Sequence, residues 1–474
     1  MRALSTGQKS IAVLLLVVLT RLLLLPLYPL MDTTEARYGE MARLMVETGN
    51  WITPLFDYDV PFWGKPPLHT WMSAASIVLL GVSEFAVRFP HWIAAMLTLA
   101  VVAVFANKQR LPVLPSLIIL ASTAVFIVSA GAVMTDMALT LGLTMAMVGF
   151  FLCWQGEVRW GYFGFIGLAI GLLAKGPVAL VIFAIGTGLW LLWQYGVFRP
   201  WKLLWQRTPL VSGLLLMLII ALPWYVLAEN ATPGFLNYFI VGEHWSRFVD
   251  SGWQGDLYGS AHDQTRGTIW LYFLGAALPW SAFLPQALYK IYVEAPKHSD
   301  KQLNSNDSAL ASYLICWMIA PMVLFTLAGN ILPAYVLPGI PALALLITFA
   351  WRGSLVPHLH KVAIAIAALL MIAVAVIHFG SGKDKSERWL LQQRTEMLPT
   401  YYLDKRPFSA RFYSAGKAKE IISLAEVNHN DTRYYLVVHN SKIELGVEDC
   451  EKVANNKDRG LLYCSRSSSV LSKP

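Results

Sequence analysis

This sequence predicts a polytopic α-helical membrane protein with a small α/β domain at its C-terminal end, on three observations. Only 14% of its residues are charged and 56% are hydrophobic, against about 25% charged in soluble domains. Apolar runs long enough to cross a bilayer recur at short intervals up to residue 379. Beyond Gly380 charged patches alternate with strand-like runs such as Tyr434–Val438, with a helix expected near Gly416–Glu426. A backbone that enters hydrocarbon repeatedly must satisfy its own N–H and C=O groups, which leaves helices as the spanning element. The expected organisation is a membrane domain over residues 1–379 and a small soluble domain over 380–474.

By the ~20-residue criterion the spans fall near 11–30, 85–106, 112–131, 134–154, 161–174, 177–196, 209–228, 268–290, 309–328, 332–350 and 362–379, about eleven in all. The first follows Arg2 and Lys9 without a small-residue cleavage site, and reads as a retained helix. Pro66–Gly81 is about one turn short of a crossing and is placed in the interface. With it there, Arg2, Lys9, Lys108, Arg110, Arg159, Arg199, Lys202, Arg207, Lys297, Lys301, Arg352 and Lys361 share one side. That side is the cytoplasm by the positive-inside rule. The same distribution accounts for the net charge of +8, so no nucleic acid is expected as a partner. Two outer loops, 31–84 and 229–267, then share the outer face with Met134–Asp136, Lys175 and 329–335.

The stretch Met31–Leu68 places Asp32, Glu35, Arg37, Glu40, Arg43 and Lys65 at the edge of a bilayer, where charge usually serves function. From Glu35 onward, Tyr38, Met41, Ala42, Met45 and Val46 form one helical stripe, with Glu40, Arg43 and Glu47 opposite. This is the pattern of an amphipathic helix on the outer interface. Asp32 as N-cap with Glu35 completing a capping box is the alternative to a chemical role for either. Lys65 precedes Pro66-Pro67, which suit the first turn of a helix. Its ammonium either snorkels to water or binds a lipid phosphate. Asp136, Arg21 and Lys175 lie within or beside apolar runs and need partners inside the bundle; for Arg21 structural pairing is expected.

Glu243 and Arg247 are one turn apart and read as a surface pair worth ~0.3–0.5 kcal/mol. His262, Asp263 and Arg266 follow, without the spacing of a metal site. Tyr335, in a Gly/Pro-punctuated connector, reads as an interfacial anchor. Cys153 and Cys316 fall inside spans as packing residues. Cys450 and Cys464 fall in the tail, as a disulfide in an oxidising compartment or as two thiols.

Taken in order, TEARYGEMARLMVETGNWITP, FWGKPPL, GVSEFAVRFP, MTDMAL, LLAKGPVAL, LPW, EHWSRF and LPAYVLP resemble integral-membrane glycosyltransferases that use polyprenyl-phosphate sugars. These are of the GT-C type and include the bacterial aminoarabinose lipid A transferase and, more distantly, the dolichyl-phosphate-mannose protein mannosyltransferases. The resemblance covers roughly residues 30–345. It implies an acidic catalytic residue in the first outer loop, Asp32 or Glu35, with Asp136 as a further candidate. Lys65, Arg247 and Arg37 would hold the donor phosphate, and His244, Tyr335, Lys175 and His262 would contact substrate. Glu35-Ala36-Arg37-Tyr38 matches the acidic-x-Arg-Tyr pattern, with Thr34 where an Asp usually precedes it. Gly64 stands before Lys65-Pro66 where Glu is frequent.

The implied reaction moves a sugar from a polyprenyl-phosphate donor to a glycolipid such as lipid A, another glycan or a protein, with inversion. It would occur at the periplasmic face of a bacterial inner membrane, among membrane lipid. A monophosphate donor carries its own leaving group, so no cofactor is implied and a divalent metal is not required. Two other classes remain as alternatives, a lipid or sugar transporter and a noncatalytic assembly subunit. A transport path would place polar groups through both leaflets in repeated broken helices.

Overall fold

The computed structural model describes residues 5–250, 253–259, 264–294, 305–352, 354, 356–443 and 450–465. The first helix, α1 (Thr6–Leu24), is capped reciprocally by the side chains of Ser5 and Gln8. α2 (Thr34–Thr48) leads into a ribbon of β1 (Leu55–Asp57) and β2 (Val60–Pro61). The chain continues through α3 (Leu68–Leu80), α4 (Glu84–Lys108), α5 (Val113–Ala121), α6 (Ala124–Ser129), α7 (Thr135–Trp154) and α8 (Arg159–Lys175). Then come α9 (Val178–Tyr195), α10 (Arg199–Arg207) and α11 (Leu210–Ala231). A π-helical segment, Asn237–Ser246, runs into α12 (Arg247–Val249). α13 (Thr268–Ala276), α14 (Leu284–Tyr289), α15 (Ser305–Phe325), α16 (Ile340–Ala350) and α17 (Leu359–Phe379) complete the apolar part.

Among the described residues eight helices are long and apolar enough to cross a membrane, or nine if Thr268–Ala276 and Trp280–Glu294, bent by 99°, form one span. The chain is thus a multi-pass membrane protein, with fewer full-length spans than expected. The run expected at 112–131 breaks between α5 and α6, where the Ser122 and Thr123 hydroxyls turn back onto the carbonyls of Ile118 and Ile119. The run at 161–174 is α8, of 17 residues. α3, with 13 residues, rises only ~20 Å, short of a ~30 Å hydrocarbon core.

α7 is the hub, buried along its whole length. Its contact with α8 is close because both helices present glycine. A Cβ on Gly142 would come within 2.6 Å of the Gly167 carbonyl, and one on Gly149 within 2.5 Å of the Trp160 carbonyl. Small residues allow such backbone approach, on which helix association in lipid depends. This packing carries Asp136, at the start of α7, to Lys175 at the end of α8.

Beyond the bundle, α18 (Arg388–Gln392) and α19 (Phe408–Tyr413) accompany a five-stranded sheet. Its strands are β3 (Thr400–Leu403), β4 (Lys419–Ile421), β5 (Arg433–His439), β6 (Cys450–Asn455) and β7 (Arg459–Ser465), in the order β4-β3-β5-β7-β6. β3 pairs parallel with both β4 and β5; β7 runs antiparallel between β5 and β6. On β5, Tyr435 and Val437 enter one buried cluster, and Tyr434, Leu436 and Val438 the other. The continuous apolar run read at Tyr434–Val438 therefore reflects a strand covered on both faces. The helix expected near Gly416–Glu426 is instead β4 and a short turn at Leu424–Glu426, because Lys419–Ile421 is recruited to pair with Tyr401–Leu403.

Cys450 and Cys464 face each other across β6 and β7 and are joined as a disulfide, sequence separation 14. A Cys450→Ser/Cys464→Ser protein is expected to lose about 3 kcal/mol from this unit, measured as earlier loss of protection from hydrogen exchange in β6 and β7.

The sheet unit sits against α2. Phe412 joins Ala36, Tyr38, Met41 and Ala42 in one buried cluster. Two of the three charges on the polar stripe of α2 are covered too: Glu40 is 1% exposed and bonded to Arg43 at 2.7 and 2.8 Å, while Glu47 remains exposed. α2 is therefore not an interfacial helix with a wholly wet polar face. Its charged side is an ion pair sealed under the C-terminal unit.

Candidate active site

A cavity of ≈ 890 Å³ opens where the outer loops, the ends of α7 and α8 and the C-terminal unit meet. Among the residues proposed from sequence, Asp32, Arg37, Lys65, Asp136, Lys175, Arg247 and Tyr335 line it. A second, more apolar cavity of ≈ 340 Å³ lies alongside, reaching Val178, Val181, Phe248, Leu324 and Phe325. Lys65, Lys175, Glu243, Arg247 and Tyr335 border both.

The cations at that border are held by carboxylates. Lys65 Nζ donates to Glu243 at 2.8 Å and to the Gly64 carbonyl at 2.6 Å. Arg247 Nη1 lies 3.1 Å from Glu243 and 3.4 Å from Asp256. Glu243 is only 3% exposed at its side chain. Burial pushes its carboxyl up, but Lys65 and Arg247 outweigh that and hold it below the ordinary value. The surface pair expected of Glu243 and Arg247 is thus an enclosed clamp with Lys65 as third member. The π-helical turn puts Glu243 inward, which α-helical spacing does not show.

Because the Glu243 carboxyl titrates low, its stabilisation is complete above about pH 4.5, the ordinary glutamate value. It is lost as pH falls through the lowered one. Glu243→Gln is expected to raise KM for an anionic donor or loosen the site by about 1–3 kcal/mol. Donor binding and unfolding measured from pH 7 down through the lowered carboxyl pKa check this, with the difference from native protein shrinking at the acid end.

Lys175 Nζ donates to Asp136 at 2.6 Å and lies 4.0 Å from the centre of the Tyr335 ring. Asp136 and Lys175 satisfy one another, as buried charges in an apolar bundle must. His244 lines the smaller cavity, but its ring nitrogens lie against the carbonyls of Phe239 at 2.7 Å and Lys175 at 3.2 Å. Burial lowers its pKa. The ring fastens the π-helical segment to the end of α8.

The two early carboxylates have different surroundings. Glu35 accepts from Arg88 Nε at 2.8 Å and Nη2 at 2.7 Å, and is not part of the cavity wall. Arg88, 0% exposed, also donates to the carbonyls of Leu25, Tyr28 and Pro29. The capping box is absent: Thr33 occupies the cap position without a side-chain bond. Asp32 lines the cavity, and its carboxylate accepts from the Ser409 amide at 3.0 Å and from the Ser409 hydroxyl. That hydroxyl in turn accepts from the Glu387 amide at 2.9 Å, so its proton is committed to Asp32. Burial outweighs these bonds and pushes the Asp32 carboxyl above its usual range.

Arg37 bonds the Tyr258 carbonyl at 2.7 Å and stacks near Tyr38 and Phe62. Its Nε is buried without a partner, as are those of Arg406 and Arg411 in the opposite wall. His262 lies outside the described residues. Arg21, bonded to the Tyr28 hydroxyl and the Val128 carbonyl, is structural as expected. Among the described residues no group of three or more His, Cys, Asp or Glu is placed to hold a metal ion.

Sequence reasoning missed Glu243 as a clamp, Tyr258, and the C-terminal wall of Lys385, Lys405, Arg406, Arg411 and Arg459. The run Lys405-Arg406 with Arg411 was a visible basic signal. Nothing in the chain fixed its distance from the outer loops.

Residues 11–239 match the family described as dolichyl-phosphate-mannose-protein mannosyltransferase. The undecaprenyl phosphate-alpha-4-amino-4-deoxy-L-arabinose arabinosyl transferase of Enterobacter sp. (strain 638) is 31% identical over 356 residues, 72% of this chain and 59% of that protein. The protein of the same name from Erwinia tasmaniensis is 30% identical over 368 residues, 74% and 61%. The chain thus spans about three fifths of the length of these relatives. The crystal structure of ArnT from Cupriavidus metallidurans bound to undecaprenyl phosphate superposes with a TM-score of 0.72 and 19% identity, covering 99% of this chain and 100% of that one. The resemblance read from the outer-loop motifs is therefore borne out in two respects: residues 11–239 match the mannosyltransferase family model, and the whole chain shares the fold of that ArnT structure.

Proposed function

We propose that the protein transfers a sugar from a polyprenyl-phosphate donor to a glycolipid, glycan or protein acceptor at the outer face of a bacterial inner membrane. One observation carries the reading: a polar cavity and an apolar one share a border of Lys65, Arg247 and Lys175. A lipid-linked sugar has that division, with an apolar chain, a phosphate at the junction and a polar sugar beyond. Lys65 and Arg247 offer charge-assisted bonds to the phosphate as the glycosidic C–O bond breaks. Asp32, in the polar cavity with a raised pKa, accepts the proton of an incoming hydroxyl. Attack from the face opposite the phosphate inverts the anomeric carbon. No metal is needed, since the leaving group is a monophosphate held by cations.

The relatives' names favour an amino-pentose on undecaprenyl phosphate as the donor. In this reading the N-terminus is cytoplasmic, and the C-terminal unit, with its disulfide, is periplasmic. Purified protein incubated with radiolabelled polyprenyl-phosphate sugars and membrane extract is expected to label one acceptor class. Lys65→Ala is expected to lower kcat/KM by about 10²–10³-fold at unchanged expression. Near-native turnover by that variant would remove the phosphate site.

A further inference from the structure

At the other end of α8 from Lys175 lies a cavity of ≈ 410 Å³, walled by α7, α8, α9 and α10. Its volume is in the ~300–1,000 Å³ range of ligand pockets. Its wall is almost wholly apolar, with Phe150, Phe165, Phe183, Leu191 and Leu204 around a floor at Gly161 and Gly164. The rim opens on the outer surface of the bundle, where Leu192 is 49%, Val197 63% and Trp201 70% exposed. That surface faces hydrocarbon, because α7, α9 and α11 are membrane-crossing helices.

The rim is also basic. α10 places Pro200, Trp201 and Leu204 against the cavity. It carries Arg199, Lys202 and Arg207, none within ion-pair distance of a carboxylate among the described residues. The sequence has no Asp or Glu between Glu157 and Glu229, so these cations have no carboxylate on their own helix or on the helices that flank it in the chain. A short helix with an apolar face, exposed tryptophans and a cationic face lies in the headgroup layer and attracts anionic lipid.

We infer that this cavity binds one acyl chain of an anionic phospholipid, with the headgroup phosphate against the basic face of α10. The site belongs to the leaflet away from the catalytic cavity and does not depend on the transferase reading. Gly188 offers an occluding position, since it lines the cavity and a Cβ added there meets nothing within 4 Å.

The test uses full-length protein stripped of lipid in neutral detergent. It is titrated with phosphatidylglycerol or phosphatidylcholine of identical acyl chains, and bound lipid is counted by native mass spectrometry. Native protein is expected to retain one phosphatidylglycerol about tenfold more strongly than phosphatidylcholine. Gly188→Leu should lose retention of both, with Ala184→Leu as a second occluding variant. The triple variant Arg199→Gln, Lys202→Gln, Arg207→Gln should keep chain binding but lose the preference. Equal retention of the two lipids by native protein overturns the inference. So does unchanged phosphatidylglycerol retention by folded occluded variants, their folding checked by unfolding midpoint in lipid-free detergent.

Discussion

Transfer by an Asp32→Asn variant is expected to fall by about 10²–10⁴-fold, the range that a positioned general base contributes. The argument is geometric first. Asp32 lines the polar cavity, whereas Glu35 is engaged by Arg88 away from it. Burial already lifts the Asp32 carboxyl above its ordinary 3.8, so the acid limb of the pH–rate profile should lie above that value. Ser409 supplies the two largest contributions that oppose the lift, with the Arg459 charge and the Phe408 amide adding to them. Ser409→Ala should therefore move the acid limb to higher pH, while Ser409→Thr should restore it. A lowered rate with no movement of the limb would show that Ser409 only packs.

The same raised pKa has a consequence for stability. A carboxyl whose charged form is disfavoured on folding makes the fold less stable as pH rises through its pKa. Asp32→Asn removes that charge, so the inactive variant should unfold no earlier than native protein at pH 7. An enzyme that keeps such a group trades stability for activity.

The second large effect is on folding. Arg88→Ala should destabilise the protein by about 3–5 kcal/mol, because it leaves the largely enclosed Glu35 carboxylate without its cation. It also strips a donor from the carbonyls of Leu25, Tyr28 and Pro29, where α1 gives way to the outer loop. Thermal unfolding in detergent would show a clearly lowered midpoint or no folded protein. Glu35→Gln separates the roles. It keeps a hydrogen-bonding group beside Arg88 and should retain substantial transfer, whereas a catalytic Glu35 would lose it as Asp32→Asn does.

The two early carboxylates show how far the chain could be read unaided. Both stood out as charge beside an apolar run, and the sequence offered the same pair of readings for each, cap or catalyst. The outcome depended on residues 53 positions from one, Arg88, and 377 from the other, Ser409. Glu243 and Arg247 were visible as neighbours one turn apart, but the π-helical register and the arrival of Lys65 made a buried clamp of an expected surface pair.

What the sequence determined by itself was everything that solvent and periodicity dictate. Apolar length and the scarcity of charge required a multi-pass helical bundle, and the short β-branched and aromatic run Tyr434–Val438 pointed to a strand. The motif order from Thr34 to Pro338 marked the outer surface as the place of chemistry. Tertiary structure alone decided which charges meet. A buried ion takes whatever partner the packing delivers, and that partner is set by helix ends and loop paths. Close glycine packing of α7 on α8 brought Asp136 to Lys175. The C-terminal unit, folded over α2, sealed Glu40 and Arg43 and brought Ser409 and a basic wall to the cavity.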